Sequence, residues 1–338
     1  MYCESDKSVV KKGFNQLKNG TRLQRYLCRS CNKQFNDRTG TPMSRLRKDS
    51  TQVAKVLHIR SEGLGIRATG RVEGISHGTV INWERRLSVQ ADNWSPSALV
   101  DSDVTVEGDE LYTKVAKNQP AHQSCGWTLT LLERHSRYWI GAIAGSKDDD
   151  LFRLGMEMMW NWGMLAAYVC FFTDGEARYS KYFWQLAHVW LHPCETTPES
   201  ACRKVWRQGI EVASKVKKSQ GRRRVRRSKP EHPFTAISPN FEVHANHNEA
   251  LNSSIRRRCS AYRRRQNHYA KNVDGLNRAV TVLRLIHNWV RPHPSLGKNV
   301  TPAMAIGFID RPVSFLELLS SRGFQSFPLH LTSVEVLT

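Results

Sequence analysis

The chain has 338 residues, of which 51 are Lys or Arg and 30 are Asp or Glu, giving a formal net charge of +21. This length allows two or three domains, and this charge favours a polyanionic partner, most often nucleic acid. The apolar run at residues 165–172 is far shorter than the ~20 residues that a membrane-spanning helix needs. The N-terminus lacks an apolar signal region, and eight Cys in this length do not indicate a disulfide framework. We therefore expect free thiols, a reducing compartment and no membrane partner.

The positive charge is concentrated in one tract. Residues 203–271 contain 19 Lys or Arg and four Glu, so +15 of the net charge lies within 69 residues. We predict that this tract forms a phosphate-binding surface, against the alternatives of a solvated charged face or a disordered linker. Its densest part predicts DNA contacts from five arginines: Arg222, Arg223, Arg224, Arg226 and Arg227.

Residues 1–48 are polar and punctuated by glycine, with a C-x-x-C pair, Cys28 and Cys31, and one Cys upstream, Cys3. A C-x-x-C turn is typical of half of a zinc ribbon, in which four ligands surround the ion. The sequence contains no His before His58, so the candidate zinc ligands are one short of four. We predict a zinc-ribbon-like fold with an incomplete Zn²⁺ site, the alternative being reduced surface thiols.

Residues 49–90 carry the pattern of a helix-turn-helix DNA-binding domain. Ser50 or Thr51 can cap the first of three helices, and Ser76 can cap the third. On that third helix we expect four side chains to face a DNA groove: His77, Thr79, Asn82 and Arg85. The alternative is an ordinary three-helix cluster.

After a predicted linker at residues 91–100, the pattern changes to strands. Alternation predicts strands at residues 104–112 and 127–131, and a turn at 134–136 joins the second to a third strand at 138–144, which makes an antiparallel meander. A helix, a buried strand at residues 167–173 and a second helix follow. The order β-β-β-α-β-α is typical of a ribonuclease-H-like mixed sheet with flanking helices, in which the first and fourth strands are neighbours. We assign residues 101–310 to this catalytic domain, with a basic, loop-like insertion at 203–243 and a C-terminal tail at 311–338.

Three carboxylates stand on separate elements of this predicted core. Asp109 lies within the first strand, Asp174 follows the fourth strand, and Glu249 lies on a helix predicted over about residues 246–265. A carboxylate in a buried strand is usually paired or bound to a metal. We therefore predict that the three acids together bind Mg²⁺ or Mn²⁺, as two ions, for phosphoryl transfer.

Other acids in the same segments offer alternatives. Glu107 and Glu110 lie on the same strand as Asp109, and the three aspartates at 148–150 could simply cap a helix. On the later helix, Glu249, Asn252 and Arg256 recur at i, i+3 and i+7. We predict that they form one ridge, with Asn252 contacting DNA and Arg256 holding a phosphate.

Five segments carry a family resemblance: R-Y-L-C-R-S-C-N-K-Q-F-N-D-R-T-G-T-P at 25–42, D-E at 109–110, T-D-G at 173–175, N-E-A-L-N-S-S-I-R-R-R at 248–258 and H-N-W-V-R-P-H-P-S-L at 287–296. Together they resemble bacterial insertion-sequence transposases of the DDE type that begin with a zinc ribbon, over nearly the whole chain. The resemblance implies that Asp109, Asp174 and Glu249 are the catalytic acids and that Arg256 is the accompanying basic residue.

The resemblance also implies partners and a location. It implies a DNA transposase that binds terminal inverted repeats and target double-stranded DNA as a homodimer or larger multimer, in the bacterial cytoplasm at the nucleoid. The chain departs from the family pattern in two places: the ribbon lacks one Cys, and the basic tract lengthens the gap between Asp174 and Glu249, which leaves Glu242 as an alternative third acid. The alternative functions are an inactive DNA-binding regulator and a nuclease on the same core.

Overall fold

The computed structural model describes residues 8–17, 19–173, 175–191, 202–220, 223–230, 245–263 and 269–324. It shows a mixed α/β fold in which a mixed sheet is flanked by helices, which confirms the predicted class at that level. In the described part of the chain, no helix combines the length and the apolar character needed to cross a bilayer.

The N-terminal segment folds as a small antiparallel sheet. Its strands are β1 (Val9–Gln16), β2 (Arg22–Cys28) and β3 (Gln34–Asn36), in the order β1-β2-β3. The rings of Tyr26 on β2 and Phe35 on β3 stack with their centroids 5.3 Å apart, which joins the two strands through their side chains. The identity of this sheet as a zinc ribbon stays a prediction.

The next helices are α1 (Ser50–Ser61), α2 (Ile66–Val72) and α3 (His77–Val89). The cap of α1 is Asp49, whose carboxylate accepts the backbone N–H of Thr51, so the predicted caps Ser50 and Thr51 lie inside the helix. Ser76 caps α3 as predicted, its Oγ accepting the backbone N–H of Thr79 at 3.1 Å. The order of helices expected for a helix-turn-helix is therefore present.

The strands that follow are β4 (Asp103–Tyr112), β5 (Trp127–Glu133), β6 (Trp139–Gly145), β7 (Tyr168–Thr173), β8 (His188–Leu191), β9 (Arg203–Trp206), β10 (Ile210–Gln220) and β11 (Arg223–Pro230). The large sheet has the order β11-β10-β7-β4-β5-β6, and β8 pairs with β9. β4, β5 and β6 form the predicted antiparallel meander. β7 runs parallel to both β4 and β10, so β4 lies between β5 and β7, as predicted for the first and fourth strands.

Helices cover both faces of the large sheet. They are α4 (Asp149–Gly163) and α5 (Ala177–Ala187) on one face, and α6 (Asn246–Arg258) and α7 (Val273–Leu285) on the other, with a π-helical turn at Ile286–Val290. Alternate residues of β4 divide between the two faces, because side chains of a strand point to opposite sides. Val106 belongs to the core under α4 and α5, and Leu111 to the core under α6 and α7. Short helices α8 (Pro302–Ala305) and α9 (Phe315–Ser320) follow.

The prediction of a basic loop over residues 203–243 is wrong where the structure describes this tract. β9, β10 and β11 lie there, and β10 extends the large sheet by pairing with β7 from Ile210↔Val169 to Ser214↔Thr173. Ile210 and Val212 are buried, as alternate residues of a strand can be. The surrounding Lys and Arg gave the tract the composition of a loop, so the strand was not predicted.

Further details differ from the sequence-based expectations. α6 ends at Arg258 rather than near residue 265. The predicted linker is packed, because Trp94 is fully buried and its ring lies edge-on to Trp289 at 5.1 Å. Buried residues of α1, α3 and the large sheet belong to one hydrophobic cluster. The domain boundaries themselves stay predictions.

Candidate active site

Asp109 lies on the face of β4 that α6 covers. Its Oδ2 accepts a hydrogen bond from Nδ2 of Asn252 at 2.7 Å, and its Oδ1 accepts the backbone N–H of Glu110 at 2.8 Å. The carboxylate is half-buried and points from the centre of the sheet toward the flanking helix. One strand residue and one helix residue therefore fix its orientation.

Glu107 anchors the start of α6 to the sheet. It lies two residues before Asp109 on the same face of β4, and its side chain is fully buried. Its Oε2 accepts the backbone N–H groups of His247 (3.0 Å) and Asn248 (2.9 Å). The first N–H groups of a helix have no partner within the helix, and the N-terminus carries partial positive charge. A carboxylate from another element therefore caps α6 and fixes its N-terminus on β4.

The buried charge of Glu107 faces two cationic or titratable side chains. Its Oε1 accepts from Nε of Arg134 at 2.7 Å and lies 2.8 Å from Nδ1 of His247. Arg134 is itself 7% exposed, and its guanidinium lies over the ring of Phe172, 4.5 Å from the centroid. Desolvation of a buried charge is offset only by close, well-directed partners, which Glu107 has on both of its oxygens.

A ladder of amide side chains continues the contact along α6. Nδ2 of Asn248 donates to the carbonyl oxygens of Glu107 (2.8 Å) and Thr130 (2.9 Å). The hydroxyl of Thr130 lies 2.9 Å from Oδ1 of Asn248 and 3.2 Å from Oδ1 of Asn252. Because residues 248 and 252 are one helical turn apart, the same face of α6 is held against both β4 and β5.

This contact corrects the role predicted for Asn252. The residue is 2% exposed and its amide bonds Asp109, so its side chain is not available to DNA. Glu249 is exposed and Arg256 is half-buried, both on the flank of α6 beside that face. The three residues do not form one exposed ridge: Asn252 faces the sheet, Glu249 is exposed and Arg256 is half-buried.

The alternative acids on β4 have other partners. Glu110 points to the opposite face, where Nζ of Lys147 lies 2.8 Å from its Oε2. Glu107 forms an ion pair with Arg134 and accepts a backbone N–H at the start of α6. Asp148 caps α4 by accepting the backbone N–H of Leu151 at 3.1 Å, as its alternative interpretation predicted. Among the acids of β4, Asp109 is therefore the one whose side chain contacts Asn252 on α6.

The structure describes only some of the other acids that were predicted to bind the metal ions. β7 ends at Thr173 and pairs with β4 up to Glu107↔Phe172, whereas Asp174 and Glu242 lie outside the described residues. Among the residues that are described, no three His, Cys, Asp or Glu side chains form a group that could hold a metal ion. The carboxylates of Asp109 and Glu249 are the hard oxygen donors that Mg²⁺ prefers, so this donor chemistry fits the predicted ions. The two-ion site stays a prediction.

Zinc in the N-terminal segment also stays a prediction. Cys28 is buried at the end of β2, Cys31 is half-buried in the next turn, and Cys3 lies outside the described residues. Two thiolates do not close a tetrahedral structural site, which needs four ligands. We assign no functional step to zinc.

Apart from Asn252, the described residues that are predicted to contact DNA lie on α3 and β11. On α3, His77, Asn82 and Arg85 are exposed, whereas Thr79 is half-buried with its hydroxyl 2.9 Å from that of Ser76. β11 carries Arg223, Arg224, Arg226 and Arg227, and Arg222 lies outside the described residues. DNA contact by these residues stays a prediction.

The residues that support Asp109 were not predicted from the sequence. Glu107 was only a competing acid, and Asn248, Thr130 and Arg134 had no assigned role. A signal was available, because Glu107 and Asp109 share one face of a strand and both require polar partners there.

No protein-family model matches the chain, and no curated protein matches it.

Proposed function

We propose that the chain is a metal-dependent enzyme that cleaves and rejoins phosphodiester bonds on a ribonuclease-H-like core. The strand order supports this class, because β4 lies centrally with antiparallel β5 on one side and parallel β7 on the other. The single observation that carries the proposal is the 2.7 Å bond between Asn252 and Asp109. It holds the helix that bears Glu249 against the strand that bears Asp109.

Within this class, we propose a DNA transposase of a bacterial insertion sequence. The motifs at residues 25–42, 109–110, 173–175, 248–258 and 287–296 support it, as do the exposed polar residues of α3 and the basic tract. The proposed partners are terminal inverted repeats and target double-stranded DNA, bound by a homodimer or larger multimer at the nucleoid of a bacterial cytoplasm. A net charge of +21 suits a polyanionic partner.

The proposed chemistry uses the carboxylates of Asp109, Asp174 and Glu249 as ligands. Two bound Mg²⁺ or Mn²⁺ ions would stabilise charge on the attacking and leaving oxygens of an in-line displacement. Asn252 keeps one carboxylate oxygen of Asp109 in a fixed direction. Arg256, two turns along α6 from Glu249 and about 10 Å away, would bind a neighbouring phosphate.

The test is a DNA reaction with the full chain. The substrate is a linear fragment that carries both ends of the element, taken from the DNA that flanks the gene, with a supercoiled plasmid as target. We expect end cleavage and joining to the plasmid with Mg²⁺ or Mn²⁺, no reaction in EDTA, and no reaction with scrambled ends. Binding without cleavage would favour an inactive DNA-binding regulator. Cleavage without joining would favour a nuclease. Either outcome contradicts the proposal that the chain is a transposase.

A change on α3 tests end recognition separately. Arg85→Ala should weaken binding to the element ends by about tenfold, because one base or phosphate contact contributes roughly 1–3 kcal/mol. Fluorescence anisotropy with end DNA and scrambled DNA measures the effect. The control is Arg153→Ala on α4, whose guanidinium pairs with Asp150 and Glu157. Equal changes in the two variants would contradict DNA recognition by α3.

A further inference from the structure

A cavity of about 570 Å³ lies on the flank of α6 that is turned away from Glu249 and Arg256. It is bounded by α6, by the end of α7 with its π-helical turn, by the segment at 291–295 and by the turn between β5 and β6. This volume falls within the ~300–1,000 Å³ that is usual for small-molecule sites. The proposed chemistry does not use this cavity.

The rim of the cavity is strongly cationic. Arg137, Arg257, Arg258 and Arg291 line it, and no Asp or Glu is among its described lining residues. Three described acids lie nearby: Glu62 accepts from Arg258 at 2.7 Å and also pairs with Arg291, Glu107 lies 2.8 Å from Nδ1 of His247, and Glu107 and Glu133 both interact electrostatically with Arg137. Arg257 is exposed and forms no ion pair with any residue that the structure describes. The rim therefore keeps a surplus of guanidinium groups directed at one space.

Histidines add to this environment. His247, His287 and His293 also line the cavity. Burial, with Arg291 and Arg258 nearby, lowers the pKa of His287 to about 4, and burial with Arg137 nearby lowers the pKa of His293. Burial is the larger cause of both shifts, and the arginines add to it because nearby positive charge disfavours the imidazolium form.

The floor of the cavity is apolar. It is formed by Leu132, Trp139, Leu251, Ile255 and Leu283. Trp139 is itself 1% exposed and its indole N–H donates to the carbonyl of Gly141 at 3.0 Å, so neither its ring face nor its N–H is offered to a ligand. A guanidinium rim around an apolar floor matches a ligand that joins an anionic group to an apolar one.

We propose that this cavity binds a single nucleotide, with the phosphate on the arginine rim and the base against the apolar floor. Arg guanidinium groups bind phosphate through paired charge-assisted hydrogen bonds, and an apolar floor favours burial of the faces of the base. The nucleotide comes either from free solution or from a DNA strand that passes α6. This binding is independent of the metal-dependent reaction, because Asp109, Glu249 and Arg256 do not line the cavity.

The test measures ligand binding by the full chain in EDTA, at about 150 mM salt, where the ~8 Å screening length suppresses diffuse attraction. The probes are inorganic phosphate, thymidine 5′-monophosphate and a short single-stranded oligothymidylate. The variants are Arg257→Ser, which removes one exposed rim charge, and Ala250→Trp, which fills the mouth of the cavity. The control is Arg153→Ser on α4, and circular dichroism checks that each variant is folded.

We expect the monophosphate to bind at least tenfold more tightly than phosphate, to lose about tenfold in Arg257→Ser and to lose binding in Ala250→Trp. If only the oligonucleotide binds, and the same two variants weaken its binding, then the nucleotide in the cavity is part of a DNA strand and the proposal stands. Should neither ligand bind, or should all variants behave like Arg153→Ser, the proposal is overturned. Because no metal is present, a failure here and a failure of DNA cleavage are distinguishable.

Discussion

Replacing Asp109 with Asn should abolish metal-dependent cleavage and joining, by ~10³-fold or more, while binding to the element ends is kept. Charge stabilisation by bound ions contributes several kcal/mol to such a reaction, and each 1.36 kcal/mol is a tenfold change in rate. The substituted side chain keeps the size of Asp109 and an oxygen that can accept from Asn252. The measurement is product formation with the end-bearing fragment in Mg²⁺ and in Mn²⁺.

A matched control exists on the same strand. Asp103 is exposed at the start of β4, at the opposite end from the candidate site, so Asp103→Asn makes the same chemical change away from α6. We expect this control to cleave and join at the parent rate. If Asp109→Asn cleaves as fast as Asp103→Asn, the carboxylate of Asp109 is not a metal ligand in the reaction and the proposed chemistry fails.

Replacing Glu107 with Gln should lower the free energy of unfolding by about 3–5 kcal/mol, the usual cost of breaking a buried ion pair. The change removes the negative charge that faces the buried Arg134 guanidinium at 2.7 Å. It also weakens the cap on α6, because a neutral amide oxygen replaces the carboxylate that accepts from His247 and Asn248. Urea denaturation followed by tryptophan fluorescence measures the difference.

The control for Glu107→Gln is Glu157→Gln on α4. Glu157 pairs with Arg153 at 2.9 Å in an exposed i, i+4 contact, which contributes at most about 0.5 kcal/mol. Equal unfolding free energies for the two variants would mean that the buried pair does not anchor α6. Under conditions where Glu107→Gln is still folded, it should also cleave DNA more slowly, because Glu249 is carried by the same helix.

The central strands and several helix boundaries could be predicted from the sequence because local pattern and tertiary packing agree there. β4 and β5 alternate apolar and polar residues, β6 follows β5 after a short turn, and β7 is a nearly continuous apolar run as a buried central strand should be. The start of α3 at Ser76 followed from a capping residue placed before an amphipathic segment. Each of these signals is contained within a few neighbouring residues.

The parts that could not be predicted depend on residues far apart in the chain. Asn252 has the spacing of an exposed ridge, and only the docking of α6 on β4 shows that it faces Asp109. Glu107 and Arg134 become an ion pair only when β4 and β5 are paired. β10 has the alternation of a strand, but its Lys-rich second half gave the tract the composition of a solvated loop.

The packed segment between α3 and β4 bears on where a bound DNA could be cut. Trp94 is fully buried, and its carbonyl accepts from the indole N–H of Trp289 at 3.0 Å, just beyond α7. Because this segment is held against the core, α3 cannot move freely relative to the large sheet. In a DNA-processing enzyme, the number of base pairs between the sequence that α3 recognises and the bond that is cut would then be fixed by the protein structure.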